Sequence, residues 1–197
     1  MIGRLLFAAT DERHQDHVKS LDYFINLCIP CYGNKDVCDD HKGCIELPKV
    51  LNVDGFKVQT FELVHNAPTN AFVIDTDDGI RILYCTDTKR IPKRVGGVHY
   101  AIIECNNDQE AMIDNAMEDL FVNSRPENHQ SLDECIRYLQ ALDKRNLQAI
   151  VLWHMSITNI NNSIAVERVK REVGFENVID TYDMKSPIEI ELTKSEF

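Results

Sequence analysis

Apolar runs of strand length alternate with amphipathic helical segments at both ends of this chain, and its middle is strand after strand. Leu5 to Ala9 forms a short apolar run that opens into a polar loop, Thr10 to His17. Val18, Leu21, Ile25 and Cys28 then recur at helical spacing, which predicts a helix of about three turns. Ile29 to Tyr32 is a short strand, broken by Gly33-Asn34, where Asn34 can cap a second helix through Val37 and Cys38. Phe56 to Val64, Ala71 to Asp75 and Ile80 to Cys85 are β-type runs, the last two joined by the turn Thr76-Asp77-Asp78-Gly79. His99 to Glu104 is a further strand. Helices follow at Asp108 to Leu120 and Leu132 to Leu142, then a strand at Ala149 to Trp153 and a helix at Ser163 to Val173. Val178 to Asp180 and Ile188 to Leu192 close the chain as strands. Helices must pack against a mixed sheet, so the pattern predicts one α/β domain over residues 1–197, with no internal repeat or linker.

With 197 residues and 44% hydrophobic composition, the chain can bury a substantial core. Its formal charge of −11 opposes the phosphate neutralisation that drives duplex binding, which argues against bulk nucleic acid as a partner. A small nucleotide held by a local basic patch or a metal is compatible with that charge. Seven scattered cysteines, no apolar run of membrane-spanning length and no secretory leader predict a reducing, cytoplasmic setting and no membrane partner.

Candidate ligands fall where these strands end. Glu12-Arg13-His14-Gln15-Asp16-His17 follows the first strand, and His65, Asp87 and His154 follow three others. In α/β folds, loops converge beyond the carboxyl ends of strands. Imidazole and carboxylate suit zinc-like metals, and two ions about 3.5–4 Å apart can clamp a phosphate and acidify water.

These residues resemble, in order, the motifs of metallo-β-lactamase-fold hydrolases. Glu12-x-His14-x-Asp16-His17 is similar to the HxHxDH signature, with Glu12 at the first histidine. His65 in LVHNAPTNAFVI, Asp87 in ILYCTDT and His154 in IVLWHMS match the later histidine, the bridging aspartate and the last histidine. IIECNND (Ile102 to Asp108) and ENHQSLDECIRYL (Glu127 to Leu139) resemble the phosphodiesterase branch, which includes tRNase Z-like enzymes, YycJ-type hydrolases and phage anti-Pycsar proteins. The resemblance covers residues 4 to 192. It implies a metallo-β-lactamase-like αββα sandwich and two divalent ions, zinc or manganese. His14, His65 and Asp87 would hold the first ion with Glu12 as an oxygen ligand, and Asp16, His17, Asp87 and His154 the second. Asp16 and His129 would be catalytic, His129 as proton donor to a leaving oxygen. Asn107, where YycJ-type relatives often carry histidine, would contact substrate, although Asn107-Asp108 also reads as a turn and N-cap before the next helix. Apart from the resemblance, the basic charge of Lys89 and Arg90 offers a substrate phosphate contact.

There are departures from the family pattern. Glu12 adds an anionic oxygen and favours harder ions such as manganese. The family begins with a β-hairpin and a further strand well before the HxHxDH loop, so the fold is expected to be N-terminally truncated. The sheet edge thereby left uncovered predicts a homo-oligomer. Several residues also have plainer readings. The Glu12 to His17 segment could be an ordinary strand-to-helix loop with an aspartate cap, and Asn128 to Ser131 a helix cap at Ser131. Cys28-x-x-Cys31 with Cys38, His41 and Cys44 invites a structural-zinc reading, but the irregular spacing favours core cysteines. Cys85, Cys105 and Cys135 read as small buried hydrophobes. Lys89-Arg90-Ile91-Pro92-Lys93-Arg94 is either a solvated loop or a patch steering phosphate toward Asp87. Two functions follow: a metal-dependent phosphodiesterase acting on a small, even cyclic, nucleotide in a phage anti-defence role, or an inactive relative that sequesters such a nucleotide.

Overall fold

The structure is a computed structural model describing residues 8–53, 55–112, 126–181 and 192. Among the described residues, ten strands form two sheets. The smaller is parallel, in the order β1 (Ala8–Ala9), β2 (Cys31–Gly33), β3 (Ile45–Glu46). The larger has seven strands: β4 (Val50–Val53), β5 (Phe56–Glu62), β6 (Asn70–Thr76), β7 (Arg81–Cys85), β8 (Tyr100–Glu104), β9 (Ala149–Trp153) and β10 (Val178–Asp180). They lie in the order β10-β9-β8-β7-β6-β5-β4. Neighbours from β7 to β10 are parallel, and those from β4 to β7 antiparallel.

That division follows from the connections. Gly79, at φ +84°, lets the chain reverse tightly between β6 and β7, where Gly79 N–H donates to the Thr76 carbonyl at 2.8 Å. Parallel neighbours need a crossover instead, and α5 (Asn162–Val173) supplies one between β9 and β10. With α4 (Leu132–Gln140) it covers one face of the large sheet. Leu83, Ala101, Ile103, Ile150 and Leu152 meet Leu132, Cys135, Leu139, Ala165 and Val169 there in the principal core. The cap at Ser131 was readable in the sequence. Ser131 accepts from Glu134 N–H at 3.3 Å and Asn161 from Ile164 N–H at 3.2 Å. On the opposite face, Ile80, Tyr100 and Ala149 form a smaller cluster.

The small sheet packs with α1 (Gln15–Val18), α2 (Leu21–Asn26) and α3 (Lys35–Asp40) through Val18, Leu21, Cys31 and Val37. Here the helix expected to run through Cys28 divides in two and stops at Asn26. Pro30 cannot continue a helix and pushes its predecessor toward extended backbone, so the chain exits through Cys28 at φ 57°. Cys28 is consequently exposed rather than on an apolar helix face. The β3 and β4 strands were not anticipated, because Ile45–Glu46 and Val50–Val53 are short and interrupted by Pro48. Helical backbone begins at 109–112; the remainder of that expected helix, and the expected strand at 188–192 apart from Leu192, fall outside the described residues. Among the described residues, no helix is long and apolar enough to cross a membrane.

Leu83 is fully buried in the central strand β7. Leu83→Ala is expected to lower unfolding stability by about 2–5 kcal/mol. Ile157→Ala, at a residue 80% exposed, should change it by less than about 0.5 kcal/mol. Urea denaturation of both variants checks the placement of the core.

Candidate metal centre

The polar loop after β1 is fastened to both sheets. Thr10 N–H donates to the Tyr32 carbonyl at 2.9 Å, in the small sheet, and Asn70 N–H of β6 donates to the Asp11 carbonyl at 3.1 Å. Thr10 Oγ1 closes the loop on itself by donating to the Glu12 carbonyl at 3.0 Å. This anchoring sets Asp11, Glu12, His14 and His17 at the edge of the larger sheet where β7, β8 and β9 end and β6 begins. Asp87 follows β7 and His154 follows β9, and both adopt left-handed backbone, φ 49° and 53°. Such conformations cost of order 1–3 kcal/mol and persist where surrounding structure enforces them. Asn106 helps at one of them, donating through Nδ2 to the His154 carbonyl at 2.8 Å.

Three groups of ligand-bearing residues meet here: Glu12, His14 and His65; Asp11, His17 and Asp87; and Asp87, Glu104, His129 and His154. Asp87 belongs to two of them. His17 Nε2 lies 3.0 Å from Asp87 Oδ2, His154 Nδ1 3.6 Å and His129 Nδ1 3.8 Å from Asp87 Oδ1, and His65 Nε2 4.0 Å from the same oxygen. The imidazoles are held by second partners. His17 Nδ1 donates to Asp11 Oδ1 at 2.9 Å and His65 Nδ1 to the Asn128 carbonyl at 3.0 Å, which leaves both Nε2 atoms facing the carboxylates. His129 and His154 share Glu104 Oε1, at 2.7 and 2.9 Å. Thr88 N–H donates to Glu104 Oε2 at 2.7 Å, so Glu104 is bonded on both oxygens. Glu12 accepts from His14 Nδ1 at 2.6 Å and from Thr69 Oγ1 at 3.2 Å. A cleft of about 400 Å³ opens over His14, His65, Asn66, Asp87, Asn128, His129 and His154.

The electrostatics are those of a negative cluster short of counter-charge. Asp11, Glu12, Asp87 and Glu104 are each at most 4% exposed. Burial, and then the charge of Asp87, push the Glu12 carboxyl above its ordinary range. Burial alone would lower the His17 pKa, but its hydrogen bonds to Asp11 and Asp87 outweigh that and carry it to about 11. His129 and His154 rise as well, since Glu104 and Asp87 overcome the opposing effect of burial. Asp87 resists the upward push of its own burial and falls to about 2, held there by His17 and by the charges of His154 and His129. Asp11 Oδ2 is buried without a partner among the described residues. The donor set fits divalent cations. Neutral imidazole nitrogens and carboxylate oxygens are gathered within ligand spacing, and a cation supplies the charge that the cluster lacks.

Of the residues singled out in the sequence, Glu12, His14, His17, His65, Asp87, His129 and His154 come together in this centre. Asp16 lies in α1 beside His17, and its side chain falls outside what is described. Asn107 does not line the cleft. It is buried, and its backbone bridges to Ser131. Lys89 and Arg90 are exposed at the start of the loop leaving Asp87. Asp11 and Glu104 were missed. Each stands where its strand ends, the same position that marks Asp87 and His154, and that shared position was the available signal.

Seven-stranded sheet, three-stranded sheet and strand-end histidine–carboxylate cluster together match solved structures. The chain aligns with the metallo-β-lactamase fold protein YhfI from Bacillus subtilis at a TM-score of 0.64 and 15% identity, covering 87% of this chain and 72% of that one. The chain has the metallo-β-lactamase fold. A diphosphatase of the PhnP family aligns at TM-score 0.63 and 15% identity, over 95% of this chain and 72% of its own. The short form of human tRNase Z gives 0.52 and 17%, over 77% and 73%. No protein-family model matches the sequence, and no curated protein does. The expected αββα class is thus the observed one, and the cluster occupies the strand ends of a metallo-β-lactamase fold.

The pKa shifts give the metal-free protein a defined pH dependence. His17 is raised above 6.5 in the fold, so its contribution to stability is complete below pH 6.5 and is lost as pH climbs toward about 11. Asp87 is depressed below 3.8, so its contribution is complete above pH 3.8 and is lost as pH falls toward about 2. The melting temperature of EDTA-treated protein is expected to be highest between these limits and to decline from pH 6.5 to about 10. His17→Gln should flatten that decline, and an unchanged profile in His17→Gln would contradict the assignment.

Proposed function

We propose that this chain is a metal-dependent phosphodiesterase acting on a small nucleotide. The observation that carries the reading is that one cleft presents both metal-type donors and a histidine held for proton transfer. Glu12, His14, His17, His65, Asp87 and His154 would hold the ions. Bound there, divalent ions would neutralise phosphoryl charge and acidify water.

The chain's own residues account for the rest. His129 lines the cleft, and Glu104 fixes one of its ring nitrogens at 2.7 Å and favours its protonated form. It is placed to give a proton to a leaving alkoxide. Glu104 also holds His154, so a single carboxylate orients both the acid and a ligand. Asp11 does the same for His17 through Nδ1, keeping Nε2 turned to Asp87. Asn66 and the Asn128 segment line the cleft mouth with polar groups suited to a sugar–phosphate ligand. The solved structures that share the fold include a diphosphatase of the PhnP family and a tRNase Z, which supports the reading of a metal-dependent hydrolase. A cyclic nucleotide, and with it a phage anti-defence role, rests on the likeness of the Ile102 to Asp108 and Glu127 to Leu139 stretches to the anti-Pycsar proteins.

Metal-stripped protein reconstituted with manganese or zinc is expected to hydrolyse bis-p-nitrophenyl phosphate, and His154→Ala to abolish turnover. His129→Gln should cost about 10²–10⁴ in kcat on nucleotide esters with an alkoxide leaving group. It should cost far less on the p-nitrophenyl ester, whose phenolate leaves without a proton. Equal rates for wild type and His154→Ala would overturn the proposal, and nucleotide binding without any turnover would convert the reading to sequestration.

A further inference from the structure

The loop that leaves Asp87 carries positive charge that the fold leaves uncompensated. Lys89, Arg90, Lys93 and Arg94 are all exposed, four of the chain's 21 basic residues within six positions. The arginines elsewhere behave differently. With 32 acidic residues in the chain, Arg13, Arg81, Arg137, Arg145, Arg168 and Arg171 each find a carboxylate. Among the described arginines, Arg90 and Arg94 are the two that do not. Like charges crowded on one loop repel one another, so the arrangement destabilises the free protein unless an anion joins it.

The loop is also fixed in place. Thr88 Oγ1 donates to the Arg90 carbonyl at 2.7 Å and accepts from Val64 N–H at 3.2 Å, and Lys89 N–H donates to the Val64 carbonyl at 2.7 Å. Val64 precedes His65, so the loop is bonded to the strand end that supplies one of the site's histidines. Farther along, Tyr138 of α4 donates to the Lys93 carbonyl at 3.1 Å, and the Lys93 ammonium stands 5.4 Å from the Phe61 ring centroid. Two peptide units separate Lys89 from Asp87, which puts their Cα atoms within about 7.6 Å of each other. The cations therefore begin within that distance of Asp87, on a backbone held by hydrogen bonds.

We propose that the 89–94 loop is a second phosphate subsite, selecting nucleotides that carry a phosphate in addition to the ester that is cleaved. This rests on the phosphodiesterase reading for the reaction, and on the loop's own charge and placement for the second phosphate. Arg90 and Arg94 are the best suited of the four, because guanidinium groups bind phosphate oxygens in pairs.

The test uses two chromogenic substrates differing by one phosphate: thymidine 5′-(p-nitrophenyl phosphate) and its 3′-phosphorylated counterpart. With manganese-loaded wild-type protein, KM for the 3′-phosphorylated substrate is expected to be about tenfold lower, the scale of one charge-assisted contact. In R90Q/R94Q the ratio of the two KM values should fall to near one, and high salt should collapse it in the wild type. A ratio near one in the wild type, or a ratio that the double variant leaves unchanged, overturns the subsite. Binding of thymidine 3′,5′-bisphosphate by calorimetry in EDTA keeps the two proposals apart. Charge-dependent binding without turnover of either substrate sinks the catalytic reading and upholds the subsite. Turnover with equal bisphosphate binding by wild type and R90Q/R94Q does the reverse. Matching melting temperatures establish that the variant is folded.

Discussion

Four carboxylates, Asp11, Glu12, Asp87 and Glu104, are buried together at the ends of strands from two sheets. Removing even one such charge from water costs several kcal/mol unless positive charge or hydrogen bonds compensate it. The surrounding structure answers that requirement. His14, His17, His129 and His154 each bond a carboxylate oxygen, while Thr69 and Thr88 add a hydroxyl and a backbone N–H. Asp87 is central, because it faces imidazoles from the first loop, from the segment before α4 and from the end of β9.

The same bonds preorganise the site for a cation. An imidazole bonded through one nitrogen has its other nitrogen fixed in direction. The Asn128 carbonyl does this for His65, and Asp11 does it for His17. The left-handed backbone at Asp87 and His154 belongs to the same arrangement, since an ordinary extended exit from β7 and β9 would carry those side chains along the strand direction. Proton and metal compete for these groups. Imidazolium is the form that cannot ligate, so metal uptake displaces protons.

The fold was legible wherever hydrophobic period and turn chemistry agreed. Ala149–Trp153 and Val178–Asp180 were found to the residue, and Asn34, Ser131 and the Thr76–Gly79 turn fell where expected. The α2 terminus was misplaced because Cys28 continues the apolar spacing while Pro30 stops the helix. In the site, His14, His17, His65 and His154 were visible because histidine at a strand end is rare enough to attract notice, and Asp87 because it sits in ILYCTDT, the stretch that matches the bridging aspartate. Glu104 was not, because a carboxylate closing an apolar strand reads as the start of a solvated loop, although the residue is fully buried. Asn107 stands where YycJ-type relatives often carry histidine, and in the structure it is buried with its backbone bridged to Ser131. Burial at a strand terminus depends on what the other sheet and loops bring over it, and local sequence does not carry that information.

The central claim is that this buried acidic cluster is a divalent-metal centre. Isothermal titration of EDTA-stripped protein with manganese or zinc, run in buffers of different ionisation enthalpy, measures stoichiometry and proton release together. The account predicts about two ions per chain, with protons released on binding and tightening affinity as pH rises from 6.5 to about 9. No detectable binding of either ion, or binding that releases no proton and survives Asp87→Asn unchanged, would contradict it.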